Sequence, residues 1–396
     1  MKIGMLLDNV FPPDDRVSKE AITLINNGHQ VFLLCYNNGY QKNTELWKGI
    51  HIQRTVISFN FGKKLLGLIF ILPFFKLLWY YEIKKFVRKY HIDVLHVHDL
   101  PLCKPSLLVK SEFKIKLVCD MHEDFADWIL NTPLYTQGIK KYLKYFQSWK
   151  KYEKNCLSNC DLVVGVSEPL VNKMITDYNL NKNKVINLPN TPDLSTFDLT
   201  KIDHSIKSEM DSYYNVIYSG MIDELRGLQY IIPLINKIIN HIPNFRLILV
   251  GSGKYENELK ILSNKYNVEK YLYFTGFQPI EKLAAYIAFS KIGIYPQKKY
   301  KGIDETIPTK LYQYCAMGIP VISSDHLLPR EFIFNNNCGF LINFEKSPEQ
   351  FVEKVIYLYT NELHRQEMGL NGKQAVMNFH NWNATVKPLI DFYSSL

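Results

Sequence analysis

Residues 304–322 read Asp304-Glu305-Thr306-Ile307-Pro308-Thr309-Lys310-Leu311-Tyr312-Gln313-Tyr314-Cys315-Ala316-Met317-Gly318-Ile319-Pro320-Val321-Ile322. Pro308 stands where a first helical turn accepts proline. Leu311, Tyr314 and Cys315 fall on one inward face at helical spacing. Gly318 ends the helix and Pro320 opens a buried strand. The helix N-terminus offers free amides to a diphosphate, with Lys310 close by. Glu305 precedes the helix, and Gln313 lies about two turns from its start.

Working outward, short apolar runs alternate with helical patterns along the whole chain. That alternation predicts a parallel sheet with crossover helices. In the first half the expected strands are residues 2–7, 29–35, 92–97, 116–119 and 161–166. A helix is expected over 17–27, with Val17, Ala21, Leu24 and Ile25 inward and Gly28 as its cap. In the second half the strands are 216–218, 246–250, 271–275, 292–295, 320–323 and 339–342. A chain of 396 residues is too long for one core, so two domains are expected. The expected division is 1–190, a linker over 191–212, 213–378, and a final segment 379–396.

Ligands of doubly wound sheets bind beyond the carboxyl ends of the strands. In the first half those positions hold Asp8, His98-Asp99, His122-Glu123 and Ser167, a polar and titratable set. In the second half they hold Gly220, Gly251-Ser252-Gly253, Gly276, Pro296 and Ser323, rich in the glycine that close approach to phosphate requires. The asymmetry suggests chemistry on the first domain, a nucleotide on the second, and a cleft where the two face each other. His96 and His98 are assigned to opposite sides of their strand, with His96 the structural one.

Charge and composition narrow the function. The net charge is +9, and residues 51–150 carry 16 Lys and Arg against 8 Asp and Glu. Such an excess suggests an anionic partner. Stretches 63–89 and 140–154 interleave lysine with aromatic residues, as in segments that dock on an anionic membrane surface. Nucleic acid is not expected, because no reader motif accompanies the basic residues. The longest apolar run, 65–75, contains Pro73 and is too short to span a bilayer. The seven cysteines are scattered with no Cys-x-x-Cys, so neither a zinc site nor a disulfide framework is indicated. No secretory leader pattern opens at Met1, so the expected setting is the cytoplasm, with a peripheral position on the inner face of the plasma membrane. A dinucleotide oxidoreductase is disfavoured, since no Gly-x-Gly-x-x-Gly follows the first strand.

The 304–322 stretch resembles the signature of the retaining GT-B glycosyltransferases of family four. That signature is a Glu, seven residues, a second Glu, and a helix end of the form Ala-x-Gly-x-Pro-Val. Glu305 matches the first Glu; Gln313 falls at the second, as a neutral group. The resemblance extends over most of the chain. Phe11-Pro12-Pro13-Asp14-Asp15-Arg16-Val17 looks like the family's first loop. His96-Val97-His98-Asp99 and Asp120-Met121-His122-Glu123 look like its His-bearing strand ends. Ser219-Gly220 through Arg226-Gly227 resembles the phosphate-binding loop, with Met221 where the family often has Arg. Gly251-Ser252-Gly253 resembles the next glycine loop, and Thr275-Gly276-Phe277-Gln278-Pro279 the base-binding turn. Trp382-Asn383 and the final helix look like the segment that crosses back to the first domain.

The resemblance implies a GT-B fold of two Rossmann-like domains and a nucleotide-sugar donor, UDP- or GDP-linked, with no separate cofactor. It implies His122 and Glu305 at the reaction centre. It assigns Gly220, Arg226, Gly251, Gly253 and Lys310 to the donor phosphates, and Gln313, Phe277 and Gln278 to ribose and base. Asp15, Arg16, His98 and Asp99 fall on the acceptor side. Transfer with retention, by a front-face route in which the leaving phosphate takes the acceptor proton, fits the family and needs no protein nucleophile. No Asp-x-Asp occurs in the chain, so no metal is expected. The implied role is sugar transfer to a glycan, lipid-linked by the family's habit, in bacterial surface polysaccharide assembly. Two alternatives stay open: a silent GT-B binding partner, motivated by Met221 and Gln313, and a non-hydrolysing sugar-nucleotide epimerase.

Overall fold

The computed structural model describes residues 1–12, 14–66, 69, 73–130, 145–299 and 307–396. The chain forms two compact units. Unit 1 comprises Met1–Pro189 with Val386–Leu396, and unit 2 comprises Asn190–Thr385.

Unit 1 is built on an eight-stranded sheet. Its strands are β1 (Lys2–Val10), β2 (Gln30–Asn37), β3 (Thr44–Trp47), β4 (Ile50–Ser58), β5 (Val94–His98), β6 (Lys116–Met121), β7 (Leu162–Gly165) and β8 (Val185–Asn187). They lie in the order β3-β4-β2-β1-β5-β6-β7-β8. All pairings are parallel except the β3–β4 hairpin, which turns at Lys48-Gly49. The order reverses between β1 and β5, which pair with Ile3 opposite Val94. At such a switch point the connections leave in opposite directions and open a crevice at the carboxyl end.

The helix Asp15–Asn26 follows β1. Asp14 caps it, its side chain accepting from the Val17 amide at 3.0 Å. Val17, Ala21 and Leu24 go into the core as the sequence predicts, but Arg16, Lys19 and Glu20 are buried as well. Burial of three charges on one helix needs partners close at hand. Strands β3, β4 and β8 are not among the predicted ones. β4 holds Gln53, Arg54 and Thr55, which mask its period, and the buried Arg54 is held through Nη2 by Glu45 at 2.9 Å and the Phe11 carbonyl at 2.9 Å.

Unit 2 has six parallel strands: β9 (Tyr214–Ser219), β10 (Phe245–Val250), β11 (Leu272–Gly276), β12 (Ile292–Tyr295), β13 (Val321–Ser324) and β14 (Gly339–Ile342). Their order is β11-β10-β9-β12-β13-β14, so the switch point lies between β9 and β12. Strand β9 sends Val216 and Tyr218 to one core and Ile217 to the other, as a strand covered on both faces must. The stretch 191–212, expected to be a linker, is packed: Phe197, Ile202 and Met210 are buried in the core of unit 2. Their apolar side chains exceed what a bare tether would leave in water.

The chain returns to unit 1 after the helix Trp382–Thr385. The Trp382 amide donates to the Pro192 carbonyl at 2.9 Å, so the outgoing and returning segments run side by side. The last helix, Lys387–Ser394, buries Leu389 and Tyr393 in unit 1.

Candidate functional site

Asp120 organises the carboxyl end of the unit 1 sheet. It is fully buried on β6. Arg16 reaches it with two parallel bonds, Nε to Oδ2 at 2.7 Å and Nη2 to Oδ1 at 2.6 Å. A planar guanidinium suits this fork geometry as an ammonium would not. Arg16 Nη1 also donates to the Leu188 carbonyl at 2.9 Å, tying β8 to the same point. Asp120 Oδ2 faces two imidazoles: His122 Nε2 at 2.9 Å and His98 Nδ1 at 3.2 Å.

His122 stands just past β6 and is the partly exposed member of the group. Its amide donates to Asp99 Oδ1 at 3.2 Å, and its Nδ1 lies 3.4 Å from Asp99 Oδ2. Burial opposes charge on this ring, but Asp99 and Asp120 outweigh it and push its pKa up to about 10. His122 is therefore an imidazolium at neutral pH, able to donate but not to accept. Burial would raise Asp120, but Arg16 and His122 together hold it well below the usual carboxylate range. Glu123 is pushed up to about 8 by burial and by Asp99. Asp8, at the end of β1, rises to about 6 through burial, although Lys63 Nζ sits 3.1 Å from it. The crevice thus presents a cationic donor, a neutral carboxyl and an ionisable carboxylate, a set suited to sugar hydroxyls.

His96 and His98 do not face opposite sides. Two residues apart on a strand, they share one face. Their rings stack with centroids 4.8 Å apart, and both are fully buried. Behind them lies Glu20, whose Oε2 is 3.3 Å from His96 Nε2 and whose Oε1 is 3.1 Å from Arg16 Nε. Glu20, His96, His98 and Asp120 are close enough to cage a metal ion. Arg16 lies against both acidic groups, 2.6 Å from Asp120 and 3.1 Å from Glu20, and burial with the neighbouring Asp120 raises Glu20 well above the usual carboxylate range.

In unit 2 the glycine loops interlock. Gly251, at φ +140°, donates its amide to the Gly276 carbonyl at 2.9 Å, and Gly220, at φ +123°, donates to Val250 at 2.9 Å. A Cβ on Gly251 would lie 2.0 Å from the Gly220 carbonyl oxygen, and one on Gly227 would lie 1.7 Å from that of Pro296. The loops after β9, β10 and β12 are therefore closed against one another by backbone contacts that only glycine allows.

Lys310 rises from the first turn of the helix Thr309–Ala316. Its Nζ stands 4.1 Å from the centre of the Tyr218 ring and 5.6 Å from that of Tyr295. It faces Gly220, where a Cβ would come within 2.9 Å of Nζ. Among the described residues no carboxylate pairs with it. Burial, with the like charge of Arg226, pushes its pKa well below the usual lysine range. Arg226 is held across the switch point by Gln297, Nη1 to Oε1 at 2.9 Å, while its buried Nε has no partner. Two basic side chains are thus brought together over glycine backbone, and among the described residues no carboxylate pairs with either, which is the electrostatic description of an anion site.

Two family models divide the chain between them. The description Glycosyltransferase Family 4 matches residues 19–196, and Glycosyl transferases group 1 matches residues 201–375. The chain belongs to the family-four glycosyltransferases. A glycosyltransferase of uncharacterised specificity from Methanocaldococcus jannaschii, MJ1059, is 24% identical over 324 residues, covering 77% of this chain and 73% of that protein. The alpha-monoglucosyldiacylglycerol synthase of Streptococcus pneumoniae is 22% identical over 364 residues, covering 86% and 75%. Among solved structures, Anabaena HepE in complex with UDP matches over all of both chains with a TM-score of 0.74 at 13% identity, which establishes the shared GT-B fold.

In this glycosyltransferase the residues expected from the sequence distribute unevenly. Arg16, His98, Asp99 and His122 converge around Asp120. Asp15 points away, exposed and paired with Lys19 at 2.9 Å. Gly220, Arg226 and Lys310 gather in unit 2, and Gly251 and Gly253 lie in the loop that backs Gly220. Phe277 is exposed, and the Gln278 amide is spent locally on the Thr275 carbonyl at 2.7 Å. Gln313 is half-buried one turn beyond Lys310. Glu305 lies outside the described residues. Asp120, Glu20, Gln297 and Tyr393 were not singled out by sequence as site residues. Only Glu20 carries a local signal, standing four residues from Arg16 on the same helix face.

Proposed function

We propose that this family-four enzyme is a retaining transferase that moves a sugar from a nucleotide-sugar donor to a glycan acceptor. The single observation that carries the proposal is Lys310, a half-buried lysine set over the Gly220 loop beside Arg226, with no carboxylate partner among the described residues. A sugar diphosphate supplies the missing charge. As the glycosidic bond to the donor breaks, negative charge grows on the leaving diphosphate, and fixed cations stabilise that state more than the ground state. The family resemblance assigns His122 a hydrogen bond to the donor and Glu305 the positioning of its sugar. The proton of the acceptor hydroxyl passes to the leaving phosphate, so no protein nucleophile is required. Thermal-shift screening with UDP-, GDP- and ADP-sugars tests the donor site, followed by product analysis with the donor that stabilises. No stabilisation by any of them would count against the proposal, and Glu305→Ala should abolish turnover while the donor still binds.

A lipid-linked acceptor is supported by the helix Phe74–Tyr90. Phe75, Trp79, Ile83, Phe86 and Val87 fill the core, yet Phe74, Leu77, Leu78 and Tyr81 form a second apolar face in solvent. Lys76 and Lys85 flank it. Apolar residues at this spacing beside lysines suit an anionic bilayer surface. The second stretch, 140–154, contributes less: Trp149 and Tyr152 are core residues, Lys150 pairs with Asp124 at 3.2 Å, and 140–144 lie outside the described residues. Among the described residues no helix is long and apolar enough to cross a membrane. Sedimentation with anionic but not neutral vesicles, weakened by Tyr81→Ser, is the expected result.

A silent binding partner is the second reading. It draws on Met221, exposed where the family often places Arg, and on the neutral Gln313. Donor binding without transfer to any acceptor would favour it.

A further inference from the structure

Successive residues of a strand point to opposite faces, so Cys119 leaves β6 on the side away from Asp120. On that side it meets Cys103, which opens the helix Cys103–Phe113, and Cys160, just past the helix Tyr145–Ser158. The three Sγ atoms all lie within 4.8 Å of one another. Those of Cys103 and Cys160, 57 residues apart in sequence, are 3.7 Å apart. Two further sulfurs border the group: the Cys156 thiol is in hydrogen-bonding contact with Cys103, and Met121 Sδ lies 3.8 Å from Cys119 Sγ. All five residues are buried. We propose that Cys103, Cys119 and Cys160 form a binding site for a single thiophilic metal ion, copper(I) by the chemistry of the donors.

A free thiol is a small hydrophobe with a weak donor and a weak acceptor, so thiols gain little by facing one another. A soft cation gives the arrangement a purpose. A metal bound to sulfurs at the ~2.3 Å of a metal–thiolate bond holds them roughly 3.8–4 Å apart, in tetrahedral or trigonal geometry. The Cys103–Cys160 pair already has that spacing. The remaining distances need to close by about 1 Å at most, a small turn of a side chain. The donor set is sulfur alone, with no carboxylate or imidazole in the group, and Met121 extends it with a thioether. Such a set selects copper(I) over the harder divalent ions. Each sulfur that binds as a thiolate releases its proton to solvent, so uptake weakens as pH falls. The three ligands come from three separate elements, which is why no Cys-x-x-Cys spacing announces them.

The test uses the full chain, reduced and kept free of oxygen, with copper(I) supplied against the chelator bathocuproine disulfonate. The parent should withhold one copper(I) per chain from the chelator, and X-ray absorption at the copper edge should show three sulfur neighbours. Cys119→Ala and Cys160→Ala should release the metal, while Cys35→Ala and Cys315→Ala should keep it. Cys315 is the informative control, because it lies against Cys338 in unit 2 and offers a second pair of thiols. Where Cys119→Ala does not fold, Cys119→Val fills the same space without a ligand, and the sulfur count in the parent needs no variant. A parent that yields all its copper to the chelator overturns the proposal. Retention by Cys119→Ala and Cys160→Ala, loss in Cys315→Ala, or fewer than three sulfurs around the metal overturns it equally.

Discussion

Arg16 and Asp120, 104 residues apart in sequence, form a two-pronged ion pair at 2.6 and 2.7 Å that is closed off from solvent. Breaking a buried pair leaves the remaining charge uncompensated. Arg16→Met should therefore destabilise unit 1 by about 3–5 kcal/mol. Arg16→Lys should also cost stability, since an ammonium cannot make both bonds. Urea unfolding followed by tryptophan fluorescence gives the comparison, and a Lys variant as stable as the parent would contradict the fork geometry.

His122 makes stability depend on alkaline pH. Its folded pKa of about 10 lies above the ~6.5 of an unfolded imidazole. The folded state holds this proton more tightly, so the contribution is complete below about pH 6.5 and disappears as pH rises through 10. His122→Gln should flatten that limb of the curve. Urea midpoints measured across the range provide the check, and parallel curves for parent and variant would rule out a raised pKa.

Lys310 is expected to act in opposite directions on stability and binding. Its depressed pKa marks a charge that the empty protein holds at a cost. Lys310→Met should leave the ligand-free protein as stable as before, or more so. It should weaken nucleotide-sugar binding by about 1.5–3 kcal/mol, roughly ten- to a hundredfold. Calorimetric titration alongside thermal melting separates the two effects.

The glycine loops should tolerate no side chain. Gly251→Ala would set a Cβ 2.0 Å from the Gly220 oxygen, so the two loops must part and nucleotide-dependent stabilisation should vanish. Gly28 has a positive φ too, but open space around it. Gly28→Ala should cost only the backbone strain, about 1–2 kcal/mol, and leave nucleotide binding intact.

Transfer should proceed unchanged in excess chelator if Lys310 and Arg226 take the diphosphate charge as proposed, since the chain has no Asp-x-Asp. Activity lost in chelator and restored by manganese would refute this.

Much of this architecture is legible in the residues themselves. Parallel strands buried on both faces announce themselves as apolar runs, and the glycines after β9 and β10 mark where one backbone loop closes on another. The 304–322 stretch predicts its helix and strand, and the helix Thr309–Ala316 and β13 are found there. What sequence conceals is mostly contact at long range. Asp120 reads only as the lead-in to the motif that carries His122 until Arg16 meets it. β4 hides because Arg54 is buried against Glu45, a pairing no local pattern announces. Tyr393 looks like an ordinary aromatic on a short helix, and nothing near it in sequence points to a histidine 297 residues away.

The return of residues 386–396 to unit 1 also sets an order of events. Domains fold as they leave the ribosome, the first before the second. Here the first cannot finish: the place of Tyr393 against His96 stays vacant until all of unit 2 has been made. The buried histidines and carboxylates must wait, incompletely braced, while nearly two hundred further residues are added. Until the final helix docks, a nascent chain holds a folded sheet whose buried His96 still lacks the hydroxyl it meets in the finished protein.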